Sequence, residues 1–304
     1  MKLNEVKCWT ALVTPLNDNG SIDFISLSTL VEEQSRAKNG ILLLGSTGES
    51  LCLSLEEKKS ILSYVINLAP DTPLMVGVGG INIENTTNWV EYINTLNLDA
   101  YLLVTPLYMK PSRHGQTAWF QQLLDLAIKP CMLYNVPSRT GISLHIETVK
   151  DLQNHENFWA IKEASGSVES FAEFVEAAPK IRVYSGDDGL LPQFAKHGAK
   201  GLVSVSSNVW PHETNLYVKQ CLEGSFSSEE TWDFCSAAMF CSTNPIPVKA
   251  LLDSLNKIST PNLKAPLTIL DFDNHVLVAK AHAKMMAWYD TEMQKFSAPL
   301  VFER

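Results

Sequence analysis

The sequence predicts an α/β protein: a closed (β/α)8 TIM barrel followed by a C-terminal helical appendage. The main observation is that short apolar runs alternate with longer amphipathic stretches as far as about residue 220. These runs are almost continuously apolar, which is typical of parallel strands covered by helices. The sequence contains eight of them, and eight strand–helix units are what a closed barrel needs.

The predicted strands begin and end with the apolar runs, at residues 8–13, 40–44, 74–77, 100–105, 131–135, 158–162, 182–185 and 201–205. Helical periodicity between the runs predicts helices such as 55–68 and 168–178. Ser54 and Glu57 form a capping-box pattern at the start of the first of these helices. A doubly wound nucleotide-binding sheet is the rival fold. It needs a complete glycine-rich phosphate loop, and residues 45–48 and 77–80 supply only half of one.

The last 80 or so residues differ from the rest, because helices predicted at 227–239, 247–255 and 274–293 have no strands between them. We therefore expect a barrel over residues 1–224 and a helical region over 225–304, which reads as an appendage and not as a second catalytic domain.

The composition excludes several classes of protein. A chain of 304 residues, 45% hydrophobic and 19% charged, can bury a large core and is not expected to be disordered. The net charge is 24 − 33 = −9, which argues against binding nucleic acid or an anionic membrane surface. No apolar run approaches the roughly 20 residues of a membrane span, and charges in residues 1–7 are unlike a signal peptide. We expect a cytoplasmic protein.

Cysteine and histidine spacing indicates neither disulfides nor a metal site. The six cysteines contain no C-x-x-C pair, which predicts free and mostly buried thiols in a reducing compartment. The seven histidines show no spacing that would pair them on a helix, so we expect no metal.

In a barrel of this type the active site lies at the carboxyl ends of the strands. The candidates at the strand ends are Thr14, Ser46, Thr47, Tyr108, Tyr134, Arg139, Lys162, Gly186 and Val203. Lys162 is the one lysine among them. Burial at a barrel mouth disfavours the ammonium form of a lysine, and a neutral amine can attack a ketone to form a Schiff base. A strand-end lysine that extends to water is the alternative.

The other candidates also have two interpretations each. Tyr134 could relay protons, or it could be a core tyrosine with a satisfied hydroxyl. Arg139 could grip a carboxylate with two hydrogen bonds, or it could be a solvent-exposed loop residue. Residues 45–50 (GSTGES), which we call the cradle loop, offer hydroxyls and backbone N–H groups that suit an anion, but they also suit an ordinary turn before a helix.

Taken together, these residues resemble the dihydrodipicolinate synthase (4-hydroxy-tetrahydrodipicolinate synthase) family of the pyruvate-dependent class I aldolase superfamily. The resemblance covers nearly the whole chain. It is carried by residues 11–15 (ALVTP), 45–50 (GSTGES), 104–108 (VTPLY), 134–141 (YNVPSRTG), 161–164 (IKEA), 185–188 (SGDD) and 244–249 (NPIPVK).

The resemblance implies a role for each candidate. Lys162 would form the Schiff base with pyruvate, and Tyr134 would relay protons. The relay would include Ser46 and Tyr108, the latter reaching in from a neighbouring subunit. Thr47 would hold the carboxylate of pyruvate, and Arg139 would hold the carboxylate of L-aspartate-4-semialdehyde. Gly186 and Val203 would line the pocket.

The implied reaction is condensation of these two substrates in lysine and diaminopimelate biosynthesis, by a homo-oligomer that is at least a dimer and is expected to be a dimer of dimers. No cofactor, metal, nucleic acid or membrane is implied. Two alternatives remain: an N-acetylneuraminate lyase or keto-sugar-acid aldolase of the same superfamily, and an inactive barrel that only binds. Members of those aldolase groups generally lack the pair that Ser138 and Arg139 form here, so Arg139 favours the synthase.

Two departures from the family pattern matter. Ser46 replaces the threonine of many members and lacks the methyl group that stiffens the side chain. In addition, the family's lysine-binding cleft at the dimer interface corresponds here to Ile81, Asn85, Leu107, Leu55 and Lys58. These residues lack the carboxylate and most of the polar groups that a buried zwitterion needs, so we expect no appreciable inhibition by L-lysine.

Overall fold

A ring of parallel strands forms the centre of the computed structural model, which describes residues 1–297. Within these residues the strands neighbour one another in chain order, and the first and last pair to close the barrel. This architecture confirms the predicted (β/α)8 barrel. The strands are β1 (Cys8–Ala11), β2 (Gly40–Leu43), β3 (Leu74–Val78), β4 (Ala100–Val104), β5 (Cys131–Asn135), β6 (Phe158–Glu163), β7 (Arg182–Ser185) and β8 (Leu202–Ser204).

Helices connect consecutive strands and continue beyond the last one. They are α1 (Phe24–Arg36), α2 (Leu55–Leu68), α3 (Ile83–Asn94), α4 (Arg113–Leu126), α5 (Pro137–Thr140), α6 (Ile146–Leu152), α7 (Val168–Ala177), α8 (Leu191–Lys196), α9 (Pro211–Glu223), α10 (Glu229–Met239), α11 (Ile246–Ser254) and α12 (His275–Ser297). Short 3-10 helices occur at Leu3–Glu5, Ser50–Cys52, Asp188–Leu190, Ser206–Asn208 and Ile269–Asp271.

The observed strands match the predicted runs within two residues at each end, and α2 has the predicted bounds. The Ser54–Glu57 capping box is present at the start of α2, as predicted. The largest difference is in β1, which was predicted to continue to residue 13. It ends earlier because the N–H of Val13 donates to Oδ1 of Asn208 at 2.9 Å instead of to a strand.

Two apolar layers position the site. The outer layer lies between the strands and the surrounding helices. The inner layer fills the barrel with large side chains that include Trp9, Met132 and Tyr184, all fully buried. Gly40 is required beside Trp9, because a Cβ at that position would lie 2.5 Å from the indole ring. The interior is therefore packed, and open space is left at one end of the barrel.

The chain after α9 is helical, as expected. Helix α10 packs against α12, and its Trp232 ring lies 3.8 Å from that of Tyr217 in α9. Gly224 ends α9 in a left-handed conformation with φ of 70°. We propose the boundary between the barrel and the helical region at this residue. Residues 298–304 of that region lie outside the described residues.

The structure shows the cysteines Cys8, Cys52, Cys131, Cys221, Cys235 and Cys241 as free thiols. Four of them are buried, while Cys52 is exposed and Cys241 is half-buried. Among residues 1–297, no three or more His, Cys, Asp and Glu side chains are grouped so that they could hold a metal. No helix within the same residues combines the length and apolar character of a membrane span.

Candidate active site

A cavity of about 920 Å³ opens at the carboxyl ends of the strands. Its walls are largely apolar and include Leu44, Val104 and Val136. Four of the polar residues that line it were singled out from the sequence: Ser46, Tyr108, Tyr134 and Arg139. A concave apolar site with a few converging polar groups is the usual form of a small-molecule site.

Lys162 lies next to Tyr134 because β5 and β6 are neighbours and these two residues are paired in register. The lysine side chain is 4% exposed, and its Nζ lies 4.3 Å from the centroid of the Tyr134 ring. None of the carboxylates in the described residues forms an ion pair with this Nζ. The amine is therefore buried and adjacent to a phenol at the cavity.

Gly186 leaves the space that the lysine occupies. A Cβ at this position, just beyond β7, would lie 2.9 Å from Cε of Lys162 and 2.6 Å from Cβ of Ala164. Gly186 thus lies directly against the lysine stem, although neither Gly186 nor Lys162 is among the residues that line the cavity itself. Val203 lies lower, fully buried in the inner layer and paired with Trp9, so it supports the floor of the barrel.

A buried polar pair that the sequence did not suggest lies behind Lys162 and Tyr134. Because side chains alternate along a strand, Asn135 and Glu163 point to the other face of the sheet. Asn135 Nδ2 donates to Glu163 Oε2 at 2.6 Å, and Ser165 N donates to Oε1 at 2.9 Å. Burial raises the pKa of Glu163. This pair connects the ends of β5 and β6 and so fixes the lysine relative to the tyrosine.

The cradle loop forms a tight turn after β2. The N–H groups of Glu49 and Ser50 donate back to Ser46 O and Gly45 O, at 3.1 and 3.3 Å. Thr14, another predicted candidate, donates from Oγ1 to Gly48 O at 2.8 Å and thereby supports the loop. Within residues 1–297 the N–H groups of Ser46 and Thr47 have no hydrogen-bond partner. The element that follows directly is the 3-10 helix Ser50–Cys52, and α2 begins only at Leu55.

Asn244 joins two of the predicted substrate residues. Its Nδ2 donates to Thr47 Oγ1 at 2.9 Å, and its carbonyl oxygen accepts from Nη2 of Arg139 at 3.4 Å. Thr47 is buried, whereas Arg139 is exposed at the cavity rim. Sequence reasoning gave Asn244 no role, since its partners lie more than 100 positions earlier in the chain. The asparagine before Pro245 at the start of α11 was the only local signal.

Tyr108 follows β4 in a left-handed conformation with φ of 64° and is 83% exposed. It lines the cavity but, within the described residues, makes no hydrogen bond to Tyr134 or Ser46 through its hydroxyl. Other apolar side chains nearby are also exposed, namely Leu51, Ile81 and Met109. An exposed apolar rim of this kind is typical of a protein–protein contact.

Asp187 adds a carboxyl group beyond β7. Burial raises its pKa to about 6, with nearby Glu163 acting in the same direction and Lys162 opposing it. Its Oδ2 accepts a hydrogen bond from Gly166 N at 3.1 Å. The residue follows Gly186, so it lies on the same side of the mouth as the lysine.

Comparison with known proteins identifies the family of this chain. The model of the dihydrodipicolinate synthetase family matches residues 5–284. A 4-hydroxy-tetrahydrodipicolinate synthase of Francisella tularensis subsp. novicida is 45% identical over 285 residues, covering 93% of this chain and 97% of that protein. A 4-hydroxy-tetrahydrodipicolinate synthase of Wolbachia pipientis wMel is 44% identical over 281 residues, covering 92% of this chain and 96% of that protein.

Solved structures agree as well. A dihydrodipicolinate synthase from Cyanidioschyzon merolae with lysine bound is 30% identical, with a TM-score of 0.88 over 93% of this chain and 99% of that one. The chloride-inhibited dihydrodipicolinate synthase from Acinetobacter baumannii, complexed with pyruvate, is 30% identical. Its TM-score is 0.87, and the match covers 92% of this chain and 98% of that one. The chain belongs to the dihydrodipicolinate synthase family.

Proposed function

We propose that this chain catalyses the reaction named for its relatives, the condensation of pyruvate with L-aspartate-4-semialdehyde through a Schiff base on Lys162. The observation that carries the proposal is the buried Lys162 Nζ, 4.3 Å from the Tyr134 ring at the mouth of the barrel. The lysine amine attacks the ketone carbon of pyruvate, and loss of water leaves an imine. The imine then withdraws electrons from the methyl group, which loses a proton.

The resulting enamine carbon forms a bond to the aldehyde carbon of the second substrate. The amino group of that substrate then attacks the imine carbon and releases Lys162, so the product contains both substrates less one water molecule. These steps move protons to or from oxygen and nitrogen and, when the enamine forms, from the methyl carbon. We assign this proton transfer to Tyr134, together with Ser46 and with Tyr108 of a second subunit.

We assign the carboxylates of the two substrates to two different groups of residues. Pyruvate is an anion, and we assign its carboxylate to the unpartnered N–H groups of Ser46 and Thr47 and to their hydroxyl groups, of which that of Thr47 also accepts from Asn244 Nδ2. The semialdehyde also carries a carboxylate, which we assign to the exposed guanidinium of Arg139 at the rim. Gly186 and Val203 shape the space around the lysine. Because Ser46 lacks the methyl of threonine, its hydroxyl is held less firmly than in many members of the family.

The exposed Tyr108 and its apolar neighbours support an oligomer in which a second copy covers this rim. We propose a dimer as the smallest active unit, a dimer of dimers as the full assembly, and the cytoplasm as its location.

The test is direct. Purified protein incubated with pyruvate and L-aspartate-4-semialdehyde should give a product with the mass of both substrates less one water molecule. Neither substrate alone should give it, and neither should the Lys162→Arg variant. N-acetylneuraminate and keto-sugar acids serve as alternative substrates. Cleavage of one of these, with no condensation product, would assign the chain to another branch of the superfamily.

A further inference from the structure

The C-terminal region reaches the cradle loop through a buried ion pair. Nζ of Lys249, in α11, lies 2.5 Å from Oε1 of Glu49 in the cradle loop, and the two side chains are 0% and 1% exposed. The same Nζ donates to Asn262 O at 2.8 Å. The other carboxylate oxygen of Glu49 accepts from Lys264 N at 2.6 Å. Groups from the C-terminal region thus contact both oxygens of this carboxylate.

The backbone of Glu49 requires such support. Its φ of 55° is left-handed, a conformation that few residues with a Cβ adopt unless their surroundings impose it. Burial also lowers the pKa of Lys249, and the Glu49 carboxylate opposes that effect. A buried charge of either sign is costly unless it has its partner. Each residue therefore needs the other.

The conformation of Glu49 determines where the preceding residues of the loop lie. Glu49 N donates to Ser46 O within a single turn, and Thr47 lies between them. Gly48, the remaining residue of the turn, has little freedom, since its Cβ position is 3.0 Å from Leu12 O. A shift of the Glu49 side chain would therefore be transmitted to the N–H groups and hydroxyls of Ser46 and Thr47.

We infer that Lys249 and Glu49 are positioning residues for pyruvate: their ion pair fixes the cradle loop in the geometry that receives the pyruvate carboxylate. Helix α11 of the C-terminal region is thereby part of the substrate site. This inference rests on the proposed function, in which Ser46 and Thr47 bind that carboxylate.

The test compares two ion pairs that both join the C-terminal region to the barrel. Lys249→Met breaks the pair at the cradle loop, and Lys257→Met breaks the pair between Lys257 and Glu33 of α1. The readout is the pyruvate concentration that gives half-maximal borohydride-trapped adduct, measured by mass spectrometry. We expect an increase of about tenfold or more for Lys249→Met, comparable to the loss of a charged hydrogen bond. We expect less than about a twofold change for Lys257→Met.

A double variant separates positioning from stability. Glu49→Gln with Lys249→Met removes both buried charges, and the amide oxygen of the glutamine still accepts from Lys264 N. It should unfold at a higher temperature than Lys249→Met alone, because no unpaired charge is buried. Its half-maximal pyruvate concentration should nevertheless stay raised. The double variant alone decides the matter if Lys249→Met does not fold.

A wild-type pyruvate response in the double variant would overturn the inference, as would an equal increase in Lys257→Met. Absence of any pyruvate adduct in the wild-type protein would instead overturn the proposed function and, with it, this inference.

Discussion

Replacing Arg139 should impair recognition of the second substrate much more than recognition of the first. Within the described residues, the Arg139 side chain makes one hydrogen bond, at 3.4 Å to Asn244 O, and it is exposed at the rim. Arg139→Ala therefore removes little that holds the fold together, and its main cost falls on the bound carboxylate. A charged hydrogen bond contributes about 1.5–3 kcal/mol, so KM for the semialdehyde should rise about 10- to 100-fold.

The assay measures initial rates with each substrate varied while the other is saturating. KM for pyruvate should change less than about threefold, because that anion binds at the cradle loop. Arg113→Ala is the matched control: it removes an arginine that is paired with Asp151 at 2.8 Å, outside the cavity lining, and should leave both KM values unchanged. Equal increases in the two KM values for Arg139→Ala would refute the assignment.

Three further outcomes are expected. Tyr108→Phe and Tyr134→Phe should each cripple the enzyme, whereas mixed dimers of the two variants should recover part of the activity; fully active isolated monomers would contradict this. L-lysine should not inhibit, because Asn85 lacks the carboxylate that would pair with its ammonium group and Leu107 lacks any polar group; half-inhibition below about 1 mM, worth roughly 4 kcal/mol, would show this reasoning to be wrong. Asp187, whose pKa is raised from 3.8 to about 6, binds more protons when folded, so it costs stability increasingly as pH rises through that interval. At pH values above about 6, Asp187→Asn should thus raise the unfolding temperature, whereas at pH values below about 4 it should not. A rise in unfolding temperature that is independent of pH would contradict this.

The fold was predictable because its signal is local. Near-continuous apolar runs marked every strand, and Ser54 with Glu57 marked the start of α2. Strand ends were less predictable, since hydrogen bonds set them and composition does not. Val13 is as apolar and buried as its neighbours, yet its N–H bonds to a side chain 195 positions away.

The core of the site was also predictable, for a topological reason. Tyr134 and Lys162 end neighbouring parallel strands, so the carboxyl-end rule brings them together once the barrel is assumed. The buried contacts that hold the site residues in place were not predictable. Asn135 and Glu163 meet only because the strands pair in one register, and Lys249 reaches Glu49 from 200 positions along the chain. Nothing in the local sequence of either residue indicates its partner.

The central claim is that Lys162 forms a Schiff base with pyruvate. Its most direct test is reduction with borohydride in the presence of pyruvate, followed by intact-mass measurement and peptide mapping. We expect one pyruvate-derived unit per chain, located on the peptide that contains Lys162 and absent from Lys162→Arg. Label on a different lysine, or no added mass at saturating pyruvate, would contradict it.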